Sequence, residues 1–566
     1  MSPRSFTALI ASAAMLISAA PPPPPSDRGP IIRPPADSPV RCRMEAPSDE
    51  KLVRRPIGVR SKIGMAAPPL PSAPPPPPVM SMPAPSSVMV TAQRAPGSAP
   101  YGSAENRERY DGKAVASIQD VAVAPVSTFS IDVDTGSYAN VRRILEDGQP
   151  VPAEAVRTEE MINYFRYDYA PPVDWSVPFT VATDVSTTPW NPATRLIRIG
   201  LRGYDLAAAE RPPANLVFLV DTSGSMHSDD KLPLVKTALK GLASQLRPND
   251  RVSIVAYAGS AGVVLESTSQ FGYIGAALDC LQAGGSTAGG QGIELAYAIA
   301  KANFRKGGVN RIFLATDGDF NVGISDNKSL EALVKRNRDD GITLTALGFG
   351  TGNYNEAMME RIADVGNGNY AYVDSAMEAK KVLQEERSAT LVTIAKDVKI
   401  QVEFNPAAIS QYRLIGYENR ALAEEDFTND AVDAGDMGAG HQVTALYEVV
   451  PTGAAGWTPE RRYDGNKPKP AAPRGQEAAF VKLRYKLPSG GASREISQAV
   501  PLAALKMAAA PKGDMAFATA VAAFGQKLRG DKYLGEFGFA DIRKLAAGQG
   551  DFWRQQFGKL AELAER

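Results

Sequence analysis

The sequence predicts an α/β fold: a doubly wound, mainly parallel sheet flanked by antiparallel β-rich and helical segments, with a disordered proline-rich N-terminus. Three observations carry this. Apolar runs such as LVFLV (216–220) and RIFLAT (311–316) alternate with amphipathic helical stretches between 213 and 390, the pattern of strands covered on both faces. After 390 the period changes to two, with Val398, Ile400, Val402 and Phe404 alternating with Lys399, Gln401 and Glu403; that is the mark of a half-buried antiparallel sheet. More than half of the 45 prolines fall in the first 100 residues, where they favour extended polyproline II and cannot pack a core.

A chain of 566 residues should divide into several units. Residues 1–20 read as a secretory signal: Arg4, then an apolar run over 6–17 too short to span a membrane, then Ser18, Ala19 and Ala20 with a cut expected after Ala19. No cysteine follows that run to carry a lipid anchor. Residues 21–104 form the disordered proline-rich linker. Its basic cluster, Arg41, Arg43, Lys51, Arg54, Arg55, Arg60 and Lys62, offers a contact to anionic envelope polymers or lipids, or simply keeps the stretch solvated.

Residues 105–212 read as an N-terminal module with a β-hairpin at 177–203. Within it, FSIDVDTGSYANVRRIL (129–145) reads as strand, tight turn and helix. The DTGS at 134–137 is the aspartic-protease signature, but that chemistry needs two carboxylates sharing a proton, and no second such loop is present. Asp134 and Ser137 are therefore expected as turn and helix-cap residues. The α/β unit, 213–390, should hold strands at 216–220, 252–257, 263–265, 311–316, 342–349 and 370–373. Its helices are expected at 231–246, 274–281, 292–303, 330–338 and from 376. Residues 391–566 should form a β-sandwich plus helices, with loops at 426–440 and 465–475. In the tail, Phe517, Val521, Phe524 and Leu528 share a helix face, with Asp514 as its cap. The hairpin has the same β character as the segment after 390, so both are expected in one sandwich with the α/β unit inserted between them.

Composition excludes much chemistry. Lys plus Arg equals Asp plus Glu at 62 each, which argues against nucleic-acid binding. The only histidines are His227 and His441 and the only cysteines Cys42 and Cys280. A Cys/His zinc site is excluded, and a Ser-His-Asp triad would have to use one of two histidines. Cys42 lies in the proline-rich region and Cys280 in a folded one, so no structural disulfide is expected between them. Any metal must be held by oxygen, which points to Mg²⁺, Mn²⁺ or Ca²⁺.

The stretch LVDTSGSM (219–226) ends a buried strand in one carboxylate and three hydroxyls. In an open parallel sheet, ligands bind beyond the carboxyl ends of the strands. GGSTAGG (284–290) and ATDGDFN (315–321) supply matching groups at other strand ends and loops. Together the three loops resemble the von Willebrand factor A domain and its metal-ion-dependent adhesion site. The resemblance places the metal residues at Asp221, Ser223, Ser225, Thr287 and Asp317. It implies that Ser223 and Ser225 bind Mg²⁺ (or Mn²⁺) directly, Thr287 directly or through water, and Asp221 and Asp317 largely through water. Hydroxyls and carboxylates are hard ligands suited to Mg²⁺, and a shell of neutral hydroxyls leaves the ion short of negative charge. His227 is expected at the rim, and Asp319 as a loop residue.

The three-part order, with STFSIDVDTGSYANVRRIL and EEMINYFRYDY ahead of the α/β unit, resembles a bacterial envelope family of von Willebrand factor A domain proteins whose C-terminal domain has no assigned function. The resemblance implies a metal-dependent, adhesion-type protein-binding role at the cell envelope, without catalysis, toward a partner presenting Asp or Glu. The helix at the end of the α/β domain is expected to shift on ligation. The alternative is an accessory subunit of an ATPase-driven remodelling or chelatase-like complex. The chain has no GxxxxGK[ST] loop and is not itself the ATPase. A third reading, a hydrolase using metal-activated water, finds no base beside the site.

Overall fold

The computed structural model describes residues 40–42, 107–131, 133–174, 176–207, 209–318, 327–458 and 476–566. The expected signal, all of the linker but 40–42, Asp319 and the loop at 465–475 lie outside the described residues. Four strands precede the α/β unit: β1 (Gln119–Asp120), β2 (Val126–Ser130), β3 (Phe179–Thr188) and β4 (Asn191–Gly203). Six build its sheet: β5 (Ala214–Asp221), β6 (Arg251–Tyr257), β7 (Ala261–Thr268), β8 (Val309–Thr316), β9 (Thr343–Phe349) and β10 (Tyr370–Val373). Seven follow: β11 (Thr393–Phe404), β12 (Ile409–Ile415), β13 (Ala421–Leu422), β14 (Met437–Gly438), β15 (Gln442–Pro451), β16 (Glu477–Lys486) and β17 (Arg494–Pro501).

The central sheet has the order β10-β9-β8-β5-β6-β7. All neighbours are parallel except β6 and β7. Leu216, Phe218 and Val220 enter one apolar core and Val217 and Leu219 another. Both faces of β5 are thus covered, which is why its sequence is continuously apolar rather than alternating. Helices Leu232–Ala243, Phe271–Cys280, Gly289–Ala302, Asn327–Asp339 and Glu356–Val365 accompany this sheet. The last was not legible as a helix. Its buried residues include Glu356 and Glu360, so charge interrupts the apolar stripe that sequence reading depends on. β7 is longer than the expected 263–265, and Val40 pairs with its Leu265.

The two other sheets have the orders β1-β12-β15-β4-β3 and β13-β2-β11-β16-β17, with β14 added to β11. β4 runs antiparallel along β15 from Arg202 opposite Gln442 to Arg195 opposite Val449. Strands from before and after the α/β unit therefore share one sheet. The two sheets meet through Phe404, whose ring lies 4.2 Å from Tyr412 and 5.2 Å from Tyr447 between centroids. β11 is not half-buried as its alternation suggests. Lys399 and Gln401 are buried too, because Lys399 Nζ donates to the carbonyls of Asp426 and Asn429 in a loop laid over that face.

Three residues expected at turns and caps are instead tertiary ties. Asp134 accepts from the Tyr370 amide at 2.7 Å and from Arg420 at 3.0 Å. Ser137 Oγ donates to the Ala155 carbonyl and accepts from the Arg157 amide. Asp514 lies inside the first turn of helix Gly513–Leu528, accepting from the Asp168 amide and from Arg554 at 2.7 Å. Local sequence marks these residues as turn formers; it cannot show that a distant segment supplies the donor.

The C-terminal helices pack with helices Gly136–Glu146 and Thr158–Asn163 around Tyr138, Met161, Phe165, Phe517, Phe524 and Phe557. Arg413 of β12 joins this layer to the sandwich. Its guanidinium donates to Glu448 at 2.8 Å, to Asp531 at 2.7 Å and to Gln526 at 2.7 Å, and it is 1% exposed. Among the described residues no helix is long and apolar enough to cross a membrane. Removing Arg413 would leave Glu448 and Asp531 buried without their cation. Arg413→Ala is expected to lower unfolding free energy by about 3–5 kcal/mol, read from the urea midpoint at neutral pH; a change within error would show that water replaces the guanidinium.

Candidate metal centre

β5 delivers Asp221 to the carboxyl end of the central sheet, fully buried. Asp221 Oδ1 accepts from the Ser223 amide at 2.9 Å, and Oδ2 from Thr316 Oγ1 at 2.8 Å and Tyr257 OH at 3.2 Å. These three donors, from the ends of β5, β8 and β6, fix the carboxylate. Burial nonetheless pushes its pKa up from 3.8 to about 6, and the neighbouring Asp317 charge adds to the rise. A carboxylate so placed favours a nearby cation.

The chain then turns. Ser223 is extended, and residues Gly224–His227 form one 3₁₀ turn. This brings Ser223 Oγ and Ser225 Oγ within 3.0 Å of each other. Ser223 is buried while Ser225 and His227 are exposed, so the hydroxyl pair runs from the sheet end out to solvent. The Thr287 loop is tied to this turn: Gly284 N donates to the Thr222 carbonyl at 2.8 Å and Gly224 N to the Gly285 carbonyl at 2.9 Å. Thr287 itself is buried.

Asp317 follows β8 and is fully buried. Its Oδ2 accepts from Lys231 Nζ at 3.0 Å and from Asn353 Nδ2 at 3.1 Å, and Lys231 Nζ also donates to Asn353 Oδ1 at 2.8 Å. The lysine stem reaches this position past Gly350, which has φ +79° and where a Cβ would collide with the stem. A glycine is required there on both counts.

Among the described residues no cluster of three or more His, Cys, Asp or Glu side chains is arranged to hold a metal. The donors here are of another kind, two carboxylates and the hydroxyls of Ser223, Ser225 and Thr287. The residues present fit a hard divalent cation on two observations. One is the oxygen-only donor set. The other is that the donors seen on buried Asp221, the Ser223 amide, Thr316 and Tyr257, are all neutral. The sequence reading missed Lys231, Asn353, Tyr257 and Thr316. Thr316 adjoins Asp317 and offered a signal; nothing local links Lys231 or Asn353 to the site.

The same three-part organisation appears in comparison with known proteins. Residues 215–386 match the model described as von Willebrand factor type A domain, 104–198 the one described as von Willebrand factor, and 389–566 the one described as "Uncharacterized protein YfbK, C-terminal". A protein of Escherichia coli (strain K12), described as "Uncharacterized protein YfbK", is 47% identical over 460 residues, covering 79% of each chain. The chain belongs to the YfbK family of von Willebrand factor type A proteins. A second relative of this family member, "Uncharacterized protein sll0103" of Synechocystis, is 34% identical over 187 residues, 33% of this chain and 43% of that protein. The solved structure described as "von Willebrand factor type A from Catenulispora acidiphila" is 16% identical and covers 70% of this chain and 91% of its own, with a TM-score of 0.38.

The raised carboxyl of Asp221 has a readable consequence. The native state holds this proton up to about pH 6, whereas the unfolded chain releases it near 3.8. Native protein therefore binds more protons in that window, and unfolding free energy falls as pH rises from about 4 to about 6. In chelator, the fall due to Asp221 is about 3 kcal/mol. Asp221→Asn is expected to lose that part of the slope, measured by urea unfolding at several pH values; equal slopes in both proteins would show that the carboxyl is not held in its neutral form.

Proposed function

We propose that this chain is a metal-dependent, adhesion-type protein-binding component of the bacterial cell envelope. In this reading Asp221, Ser223, Ser225, Thr287 and Asp317 hold Mg²⁺ or Mn²⁺, and a partner's Asp or Glu completes the site. The observation that carries the reading is the Ser223–Ser225 hydroxyl pair, 3.0 Å apart and open to solvent at Ser225, backed by two buried carboxylates. A bound divalent ion would supply positive charge that neutral hydroxyls do not cancel, so an anionic oxygen from outside is the natural remaining ligand. The protein's part is to orient. Asp221 holds the turn through the Ser223 amide, the paired backbone bonds hold the Thr287 loop against it, and Lys231 steadies Asp317. Envelope placement rests on the signal-like start of the sequence.

Lys231 sharpens the test, because its ammonium competes for Asp317 with any second cation. Mg²⁺ or Mn²⁺ is expected to raise the melting temperature. Asp317→Ala should abolish the shift, while Lys231→Met should tighten metal binding roughly tenfold by removing a like charge, measured by titration calorimetry. Identical affinities in wild type and both variants would place the ion elsewhere. Partner capture from envelope extracts should need metal and fail with Ser223→Ala or Thr287→Ala; retention in chelator would show that binding uses another face, leaving a shared fold alone.

A further inference from the structure

The outer edge of the central sheet carries a feature that the metal site does not use. Among the described strands β7 pairs only with β6, so its outer row of backbone groups faces away from the sheet, where another segment can pair with it. Residues 40–42 take that place. The Arg41 amide donates to the Val264 carbonyl at 2.8 Å, Val40 faces Leu265 in an antiparallel bridge, and the Arg41 guanidinium lies 3.5 Å from Glu266. Val40 is only 7% exposed and enters the core that contains Ile274, Ala277 and Leu278 of helix Phe271–Cys280. Cys42 follows two residues after Val40, at an exposed bend beside β7. Its thiol is a neighbour of Cys280, the last residue of helix Phe271–Cys280. These are the only two cysteines in the chain, and both are free thiols here. Edge pairing, not sequence proximity, brings them near one another.

We propose that Cys42 and Cys280 form an intrachain redox pair that closes to a disulfide under oxidising conditions and fastens residues 40–42 to the edge of the central sheet. The oxidant is a disulfide donor acting by thiol–disulfide exchange. Exposed Cys42, as its thiolate, attacks one donor sulfur; the donor S–S bond breaks and one thiolate leaves. Cys280 then gives its proton to solvent and attacks Cys42 Sγ, expelling the second donor thiolate. Two protein thiols are oxidised, and one donor disulfide is reduced to two thiols. The order follows from the surroundings. Burial and the adjacent Cys42 thiol push the Cys280 pKa up to about 12, so Cys280 stays protonated near neutrality and is the slower partner. Closure would occupy the open edge permanently and protect it from pairing with other chains. The chemistry belongs to the folded chain; only its occurrence in the cell rests on the export reading.

The test uses the full-length protein, reduced, then transferred to oxidised glutathione in mildly alkaline buffer and alkylated after denaturation. The expected product is a linked peptide pair containing Cys42 and Cys280, lighter by two hydrogens, with neither cysteine alkylated. Cys42→Ser should leave Cys280 as an alkylated or glutathione-bound thiol. Arg41→Pro removes the amide that donates to Val264 and should slow closure by about three- to tenfold, the population loss that one hydrogen bond carries. The proposal is overturned if wild type acquires two alkyl groups or two glutathiones, if links form only between chains, or if closure in urea is as fast as in native buffer. Fractionation that finds the protein in the cytosol would remove the export reading and leave this result standing; failed closure in vitro would remove the pair and leave export untouched.

Discussion

Asp221 and Asp317 meet at the carboxyl edge of a sheet whose central strand is buried on both faces, and neither is exposed. Two carboxylates in such a place repel one another and pay for desolvation unless positive charge accompanies them. The surrounding structure answers that constraint. Tyr257, Thr316 and the Ser223 amide converge on Asp221, and Lys231 with Asn353 on Asp317. One ammonium against two carboxyls leaves the edge acidic on balance. That deficit, rather than any single motif residue, makes the site suited to a cation.

The rim of the site is shared with the N-terminal module. Arg107 N donates to the Gly352 carbonyl, Gly352 N donates to Glu108, and Arg109 bridges Asn355. The chain runs from Asn353 directly into helix Glu356–Val365, whose Glu356 and Glu360 pair with Arg157 at 2.7 and 2.6 Å. Beside edge strand β10, Arg142 holds Asp374 and Glu378 at 2.7 and 2.8 Å, and Lys381 lies 4.0 Å over the Tyr164 ring. The helix that begins at Ala376 is thus cross-linked to the module through buried ion pairs. A shift of that helix on ligation would have to break charge pairs that are costly to separate in a low-dielectric setting. Buried ion pairs therefore tie the module to the α/β unit on two sides.

Much of this was legible in the primary structure. Apolar runs marked β5, β8 and β9 because strands covered on both faces have no polar face to advertise. The residues from 221 to 225 stood out as a candidate site because a carboxylate and hydroxyls close an apolar run at the carboxyl end of a strand. The helix Glu356–Val365 was not legible, since its buried glutamates are neutralised by an arginine some two hundred residues earlier. The alternation in β11 misled for the same kind of reason, a loop from later in the chain covering its polar face.

By itself, then, the sequence determined the strands of the central sheet, where its carboxyl edge lies and which oxygen-bearing residues stand in the loops there. Those properties follow from local period and side-chain chemistry. Tertiary structure alone decided that Lys231 reaches Asp317 past Gly350, that Asp134 ties β10 to Arg420, and that Cys42 lies beside Cys280. Each joins residues with no periodic relation along the chain. The pairing exists only because sheet order and register bring their backbones together, and that order is set by the burial of the whole molecule rather than by any one stretch of it.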